Sequence, residues 1–265
     1  MRSWWRWVLL GMVCAGVPFV LGSSGCGGGV LSIDDQTEIK IGKQAAAETE
    51  QKYRVIDGTP DAERVERIGK AIAAGSERKG IPWSYKVLDM KDVNAFSLPG
   101  GPVYVCRGLL ETGLSDDELA GVLGHETAHI NQRHSAKAIQ RAMTMELLSN
   151  LALRNSGSIM QSAAGLAMQY GMTLPRSRED EYEADSVGLR LAYNAGYPAD
   201  GLVKFLKKLD KLSGAGGSAE WMQTHPDTKA RVARAQRLAD TVAPLKRPVP
   251  LITPETESAA NRSQL

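Results

Sequence analysis

The chain of 265 residues has room for one domain or a small domain with extensions, and 43% hydrophobic with 23% charged residues is ordinary for a globular protein with a useful core. A formal charge of +2 supplies no basic surface of the kind a nucleic acid selects, and no nucleic-acid partner is expected. Of the three cysteines only Cys106 lies in the body of the chain, so an internal disulfide is excluded there and a buried structural thiol is expected in the apolar run PVYVC.

The first element is a leader. Arg2 and Arg6 give a positive start, Val8 to Leu21 is almost wholly apolar, and the small residues Gly22, Ser23, Ser24 and Gly25 lead to Cys26. This is the pattern of a secretory signal over residues 1–25; Pro18 interrupts an apolar run shorter than the ~18–20 residues of a membrane span. SSGC resembles the bacterial lipobox, whose cysteine becomes a lipidated N-terminus, although Ser23 stands where that pattern prefers Leu. Cys26 is therefore the candidate lipidation site. Residues 26–35 are rich in glycine and read as a flexible tether.

A helix is expected from Asp35 to about Arg54, and a second in DAERVERIGKAIAAG, where Val65, Ile68 and Ile72 recur on one face and Gly75 ends the run. The period then changes to two. WSYKVL alternates Trp83, Tyr85 and Val87 with polar neighbours, and PVYVC follows NAFSLPGG as a second strand. Because Pro99 and Pro102 lack donor N–H groups, the expectation is a small antiparallel sheet with an edge near Gly101 to Val105. Ser115-Asp116-Asp117-Glu118 spells a capping box, which starts a helix at about Asp116 and carries it through His125 and His129.

Residues 155–175, rich in Ser, Gly, Ala and Met, read as a mobile flap or a frayed helix. A helix from about Arg178 to Asn194 ends at NAGYP, and GLVKFLKKLDKL presents an apolar stripe to a core with lysines opposite. Pro226 suits the first turn of a last helix, and residues 241–265 read as a disordered tail. The domain proper thus spans residues 36–240, of α+β class and mostly helical.

The stretch ELAGVLGHETAHINQRH holds three of the four histidines. On a helix, His125 and His129 share a face one turn apart and can turn two imidazoles toward one ion. Zinc accepts neutral imidazole nitrogen at about 2.0–2.1 Å and, in catalytic sites, keeps one of four positions for water. Glu126 is offset by about 100° from His125, beside the ion, where a general base for that water belongs. In SREDEYEAD a Glu with an Asp four residues later occurs once, at Glu181 and Asp185. Glu181 is the candidate third ligand, and Asp185 the acceptor for the other ring N–H of a ligand histidine. Gly121, Gly124 and Ala128 on one helix, and Ala184, Gly188 and Ala192 on the other, are small enough for close approach. Two neutral imidazoles and a carboxylate leave the ion net positive, which favours hydroxide.

HETAH followed by EYEAD, with NAFSLPGG upstream and THPDTKAR downstream, resembles the CAAX-prenyl-endopeptidase/HtpX family of zinc metallopeptidases, and most of all its small periplasmic, often lipidated bacterial members. The likeness covers roughly residues 36–240. It implies a zincin-like helical domain with a small sheet, one Zn2+ held by His125, His129 and Glu181, and Glu126 as catalytic acid/base. It also implies a place near the active site for His225, as an oxyanion partner or resting-state zinc ligand, with Arg231 assisting. His225, beside Pro226, is read at a helix start; His134 is read on the rim.

An extended peptide is expected to pair with the backbone of Gly101, Pro102, Val103 and Tyr104. The expected function is endoproteolysis of unfolded or misassembled cell-envelope polypeptides, on the periplasmic side of a bacterial membrane reached through the lipid. A chaperone-like assembly factor that keeps the zinc site but cuts little is the competing reading.

Overall fold

Four helix starts rest on single polar residues. Asp34, Thr59, Ser115 and Ser177 stand in extended backbone, and each side chain accepts a hydrogen bond from the N–H three residues on. At Ser115 the bond is reciprocal: the hydroxyl accepts from Glu118 N–H at 3.2 Å while the Glu118 carboxylate accepts from Ser115 N–H at 2.8 Å. The computed structural model describes residues 32–149, 156–214, 220–226 and 228–243. In chain order these form α1 (Asp35–Lys52), β1 (Val55–Ile56), α2 (Pro60–Ala73), β2 (Ser84–Leu88), β3 (Ala95–Ser97), β4 (Pro102–Cys106), α3 (Arg107–Leu110), α4 (Asp116–Asn131), α5 (His134–Ser149), α6 (Ser156–Met172), α7 (Arg178–Asn194), α8 (Gly201–Gly214), α9 (Glu220–Thr224) and α10 (Thr228–Val242). No described helix is long and apolar enough to cross a membrane.

The mostly helical α+β class holds, and the sheet is small, but it is mixed. Its order is β1-β2-β4-β3. β1 pairs with β2 and β3 with β4 antiparallel, whereas β2 and β4 run parallel, Tyr85 opposite Val103 and Val87 opposite Val105. The expected edge at Gly101 to Val105 is therefore corrected: β4 is an inner strand. Pro99 lies in the turn before it and Pro102 is its first residue, so neither proline removes an interior ladder donor. Period-two alternation finds a strand but not its neighbours, and the three-residue β3 inside NAFSLPGG is too short to show a period at all.

The sheet divides two cores. Val103 and Val105 face one, with α2, α4, α7, α8 and α10; Tyr104 and Cys106 face the other, with α1, α5 and α6. Burial on both faces is what makes PVYVC apolar throughout. It also pushes the Cys106 thiol up to about 12, the inert structural role expected of it. Residues 156–172, read as flap or frayed helix, form α6, whose Ala163, Ala164 and Ala167 are buried in the second core. The signal, Cys26 and the tail beyond residue 243 lie outside the described residues; Ile33, inside the expected tether, is buried and Asp34 caps α1.

Close approach of α4 and α7 is built on two glycines. A Cβ at Gly188 would stand 2.6 Å from the Gly124 carbonyl and from the His125 amide nitrogen; one at Gly124 would stand 2.5 Å from the Gly188 carbonyl oxygen. Neither helix axis yields without shifting the histidines. Gly121 serves a different neighbour, the backbone of Leu202 at the start of α8. Gly188→Ala is expected to destabilise by about 1–3 kcal/mol or more through overpacking, a fall in melting temperature of at least about 2 °C for a domain of this size. Gly165→Ala, at a helical glycine with open space around it, is expected to leave the melting temperature unchanged or raise it slightly. Thermal denaturation of the two variants checks both.

Candidate zinc centre

From Leu119 to Ile130 every residue of α4 is buried, so this helix runs through the interior rather than along a surface. His125 and His129, one turn apart, bring their Nε2 atoms within 3.0 Å of each other. α7 crosses at the glycine pair and delivers Glu181, whose Oε2 lies 3.5 Å from His125 Nε2 and whose Oε1 lies 3.4 Å from His129 Nε2. His225 closes the group from the end of α9. One donor atom from each of His125, His129, Glu181 and His225 lies within 4.8 Å of all the others, and all four residues are buried.

The opposite ring nitrogens are all engaged. His125 Nδ1 is 2.9 Å from Asp185 Oδ1, as the four-residue spacing from Glu181 suggests. His129 Nδ1 meets His134 Nδ1 at 2.8 Å, and His134 Nε2 continues to Glu183 Oε2 at 3.1 Å. His225 Nδ1 lies 2.8 Å from Thr224 Oγ1 and 3.1 Å from the Trp221 carbonyl oxygen, while its ring stacks on Trp221 at 4.3 Å. A proton on each Nδ1 of His125, His129 and His225 satisfies these partners and leaves three Nε2 lone pairs converging. Arg231, also buried, grips Asp185 with Nε and Nη2 at 2.8 and 2.7 Å, pairs with Glu181, and lies 4.7 Å over the Trp221 ring.

Glu126 occupies the flank. The Ser97 hydroxyl on β3 donates to Oε2 at 2.9 Å, and Oε1 lies 3.3 Å from His225 Nε2. Four polar atoms here, Glu126 Oε1, both oxygens of Glu181 and His225 Nε2, are buried without a hydrogen bond, although Arg231 lies within ion-pair distance of Glu181. Folded proteins avoid such orphans. Several converging on one point, as two or three imidazoles and a carboxylate, are the donor set and geometry that suit zinc.

The electrostatics agree. For His125, burial alone lowers the proton affinity, but the Glu181 and Asp185 carboxylates outweigh it and push the imidazole up to about 9. His129 is driven well below the usual histidine range by burial and by the charges of Arg176 and His125. Burial opposes ionisation of Glu181, yet the His225, Arg231 and His125 charges hold it well below the carboxylate range. Glu126 is lowered too, against burial, chiefly by His225, His125 and Arg176. The cluster attracts positive charge, and a cation bound there takes the place of the His125 proton.

Of the residues expected from the sequence, His125, Glu126, His129, Glu181, Asp185, His225 and Arg231 come together. His225 lies past the end of α9, its N–H donating to the Trp221 carbonyl, and not at the start of the next helix, which begins at Thr228. Gly101, Pro102, Val103 and Tyr104 are corrected as a peptide-pairing edge. β4 is hydrogen-bonded on both sides, and the Tyr104 hydroxyl is tied to Glu50 at 2.7 Å. The strand edge nearest the site is that of β3. His134, expected on the rim, is buried against His129. Its role was hidden because Arg133, at φ 62°, breaks the helix between them and with it the periodicity that locates a side chain. Ser97 and Arg176 were missed as well, since neither stands in a spacing that marks a site.

Comparison with known proteins gives the same picture. Peptidase family M48 matches residues 60–239. The chain is 35% identical over 176 residues to the mitochondrial metalloendopeptidase OMA1 of Schizosaccharomyces pombe, which covers 65% of this chain and 51% of that protein. It is 30% identical over 216 residues to metalloprotease LoiP of Escherichia coli, 80% of this chain and 83% of that one. It is 26% identical over 234 residues to the beta-barrel assembly-enhancing protease of Escherichia coli, 82% of this chain and 46% of that one. The chain thus spans about half the length of several curated relatives, and the stretch matched by the family, residues 60–239, contains every residue of the cluster. Because the family model spans both crossing helices and all the residues that converge between them, over well more than half of the sequence, the chain belongs to peptidase family M48.

Proposed function

We propose that the protein is a zinc metalloendopeptidase in which His125, His129 and Glu181 hold the ion and Glu126 is the general base and acid. One observation carries the reading: Glu126, a buried acid with one free oxygen, stands beside four buried donor atoms, one each from His125, His129, Glu181 and His225, that lie within 4.8 Å of one another. Zinc, when bound, polarises a peptide carbonyl and makes a water more acidic. Glu126 is ionised at neutral pH, and Ser97 fixes its Oε2, which leaves Oε1 to take the proton of the attacking water. The same carboxyl then returns that proton to the leaving amine. Asp185 and His134 hold the two ligand imidazoles in the tautomer that presents Nε2, and Arg231 holds Asp185. His225, with Nδ1 committed to Trp221 and Thr224, faces the cluster with a lone pair; this suits a ligand better than an oxyanion donor.

The proposed substrates are unfolded or misassembled envelope polypeptides. The site residues are fully buried, so only a chain able to enter in extended form meets them. β3 is the strand at the end of the sheet nearest the site, but α6 packs over it, so that a Cβ on Gly171 would lie 3.2 Å from the Ser97 carbonyl oxygen, and a strand that pairs there must first move α6. Relatives named beta-barrel assembly-enhancing proteases support an envelope setting, as do the leader and SSGC. The location proposed is the periplasmic side of a bacterial envelope, with Cys26 lipidated. The sealed site is also what favours the competing reading, an assembly factor that retains zinc and cuts little.

Purified wild type is expected to carry about one zinc per chain and to digest casein; Glu126→Gln is expected to retain the zinc and lose about 10²–10⁴-fold in rate. Metal analysis with a casein assay checks this: equal cleavage by both proteins refutes the assigned base, and zinc without cleavage by either favours the assembly factor. In a lipoprotein-competent bacterial host, labelled palmitate is expected to enter the wild type and not Cys26→Ala; label in both, or in neither, refutes lipidation at Cys26.

A further inference from the structure

Arg176 lies between α6 and α7, immediately before the helix cap Ser177, and its backbone N–H donates to the Thr224 carbonyl at 3.0 Å. This ties the connection to the residue that precedes His225. The side chain is 8% exposed, and Nη1 reaches the Ser135 hydroxyl at 3.3 Å, next to His134. Nε and Nη2 are buried and have no hydrogen-bond partner among the described residues. The guanidinium charge nonetheless acts on the catalytic group, lowering His129 and His134 and helping to hold Glu126 ionised. Arg176 thus sits beside the centre and contributes nothing to its donor set.

A guanidinium cannot shed its charge by deprotonation, so burial without a partner is unfavourable in a way no tautomer relieves. The two free groups narrow what is missing. Nε–H and Nη2–H lie side by side along one edge of the planar fork, the edge that matches the two oxygens of a carboxylate. The same fold uses that edge so: Arg231 Nε and Nη2 take the two oxygens of Asp185. Arg78, the other largely buried arginine of this kind, is held through both Nη groups by Glu38, Asp35 and the Ile130 carbonyl. Arg176 alone of these three keeps its fork free.

We propose that Arg176 recognises a carboxylate of the peptide substrate next to the scissile bond, carried either by an Asp or Glu side chain or by the peptide C-terminus. This rests on the peptidase reading and adds a sequence preference to it. A lysine is a point charge without the fork and serves the same place poorly.

The test uses the full zinc-loaded chain and quenched fluorescent peptides that differ only by Glu against Gln at successive positions around the cleaved bond. Each peptide is made with a free-acid and an amidated end, which separates the side-chain source from the C-terminal one. Wild type is expected to prefer the acid at one position, or the free-acid end, by about tenfold or more in kcat/KM. In Arg176→Gln that ratio is expected to fall to about one, and in Arg176→Lys to an intermediate value, with melting temperatures no lower than wild type. Fluorescence anisotropy of the same peptides, dye-labelled, on Glu126→Gln and on Glu126→Gln/Arg176→Gln reads the preference as a ratio of Kd without any cleavage. If no peptide is cut, the peptidase reading fails while the binding ratio still judges Arg176. Equal values for Glu and Gln and for acid and amide in the wild type, or a preference that survives Arg176→Gln, overturns the proposal.

Discussion

The structure depends on one backbone contact, the crossing of two helices at Gly124 and Gly188. On α4, His125 follows the crossing glycine directly and His129 comes one turn later, and two turns of α7 before the crossing comes Glu181. What the glycines add is an interaxial distance short enough for side chains of ordinary length to meet at one point. The close approach also puts His125 backbone against Gly188, so the packing that stabilises the domain is the packing that aims its proposed ligands. Stability and site geometry here cannot be varied independently.

Around that crossing the protein assembles charge in the interior, which folding ordinarily penalises. The penalty is contained by pairing in layers. The ligand group carries unsatisfied oxygen and nitrogen atoms facing inward, and each imidazole is fixed from behind by Asp185, by His134 or by the Trp221 carbonyl. Asp185 is in turn held by Arg231, which stacks on Trp221, which stacks on His225. α9 is thereby fastened to the same network as α4 and α7, although it lies far off in sequence. Removing any member leaves a buried charge or ring without its counterpart, so coupling among these residues is expected to be strong and not additive.

Much of this was legible in the sequence, and the reasons differ by element. The capping box at Ser115 and the run of small residues fixed the start and the face of α4 because both are local signals. The ligand pair and the Glu181–Asp185 spacing were legible because helical geometry converts a count of four into a shared face. What failed was non-local. The strands were found from alternation, but their order was misjudged: nothing in PVYVC says that β2 runs parallel to it, and two prolines that looked prohibitive fell at a turn and a strand start. His134 was misplaced because a left-handed Arg133 reset the phase. Arg176 and Ser97 lie on a loop and a short strand, where only the fold decides what a side chain meets.

The central claim is that two imidazoles of α4 and the Glu181 carboxylate share one zinc ion. X-ray absorption at the zinc K edge on the purified protein addresses it most directly. The account predicts a shell of nitrogen and oxygen at about 2.0–2.2 Å with at least two imidazoles and no sulfur, and a changed shell with weaker zinc retention in Glu181→Ala. Zinc bound through sulfur, a shell without imidazole, or a spectrum and affinity untouched by the loss of the Glu181 carboxylate would contradict it.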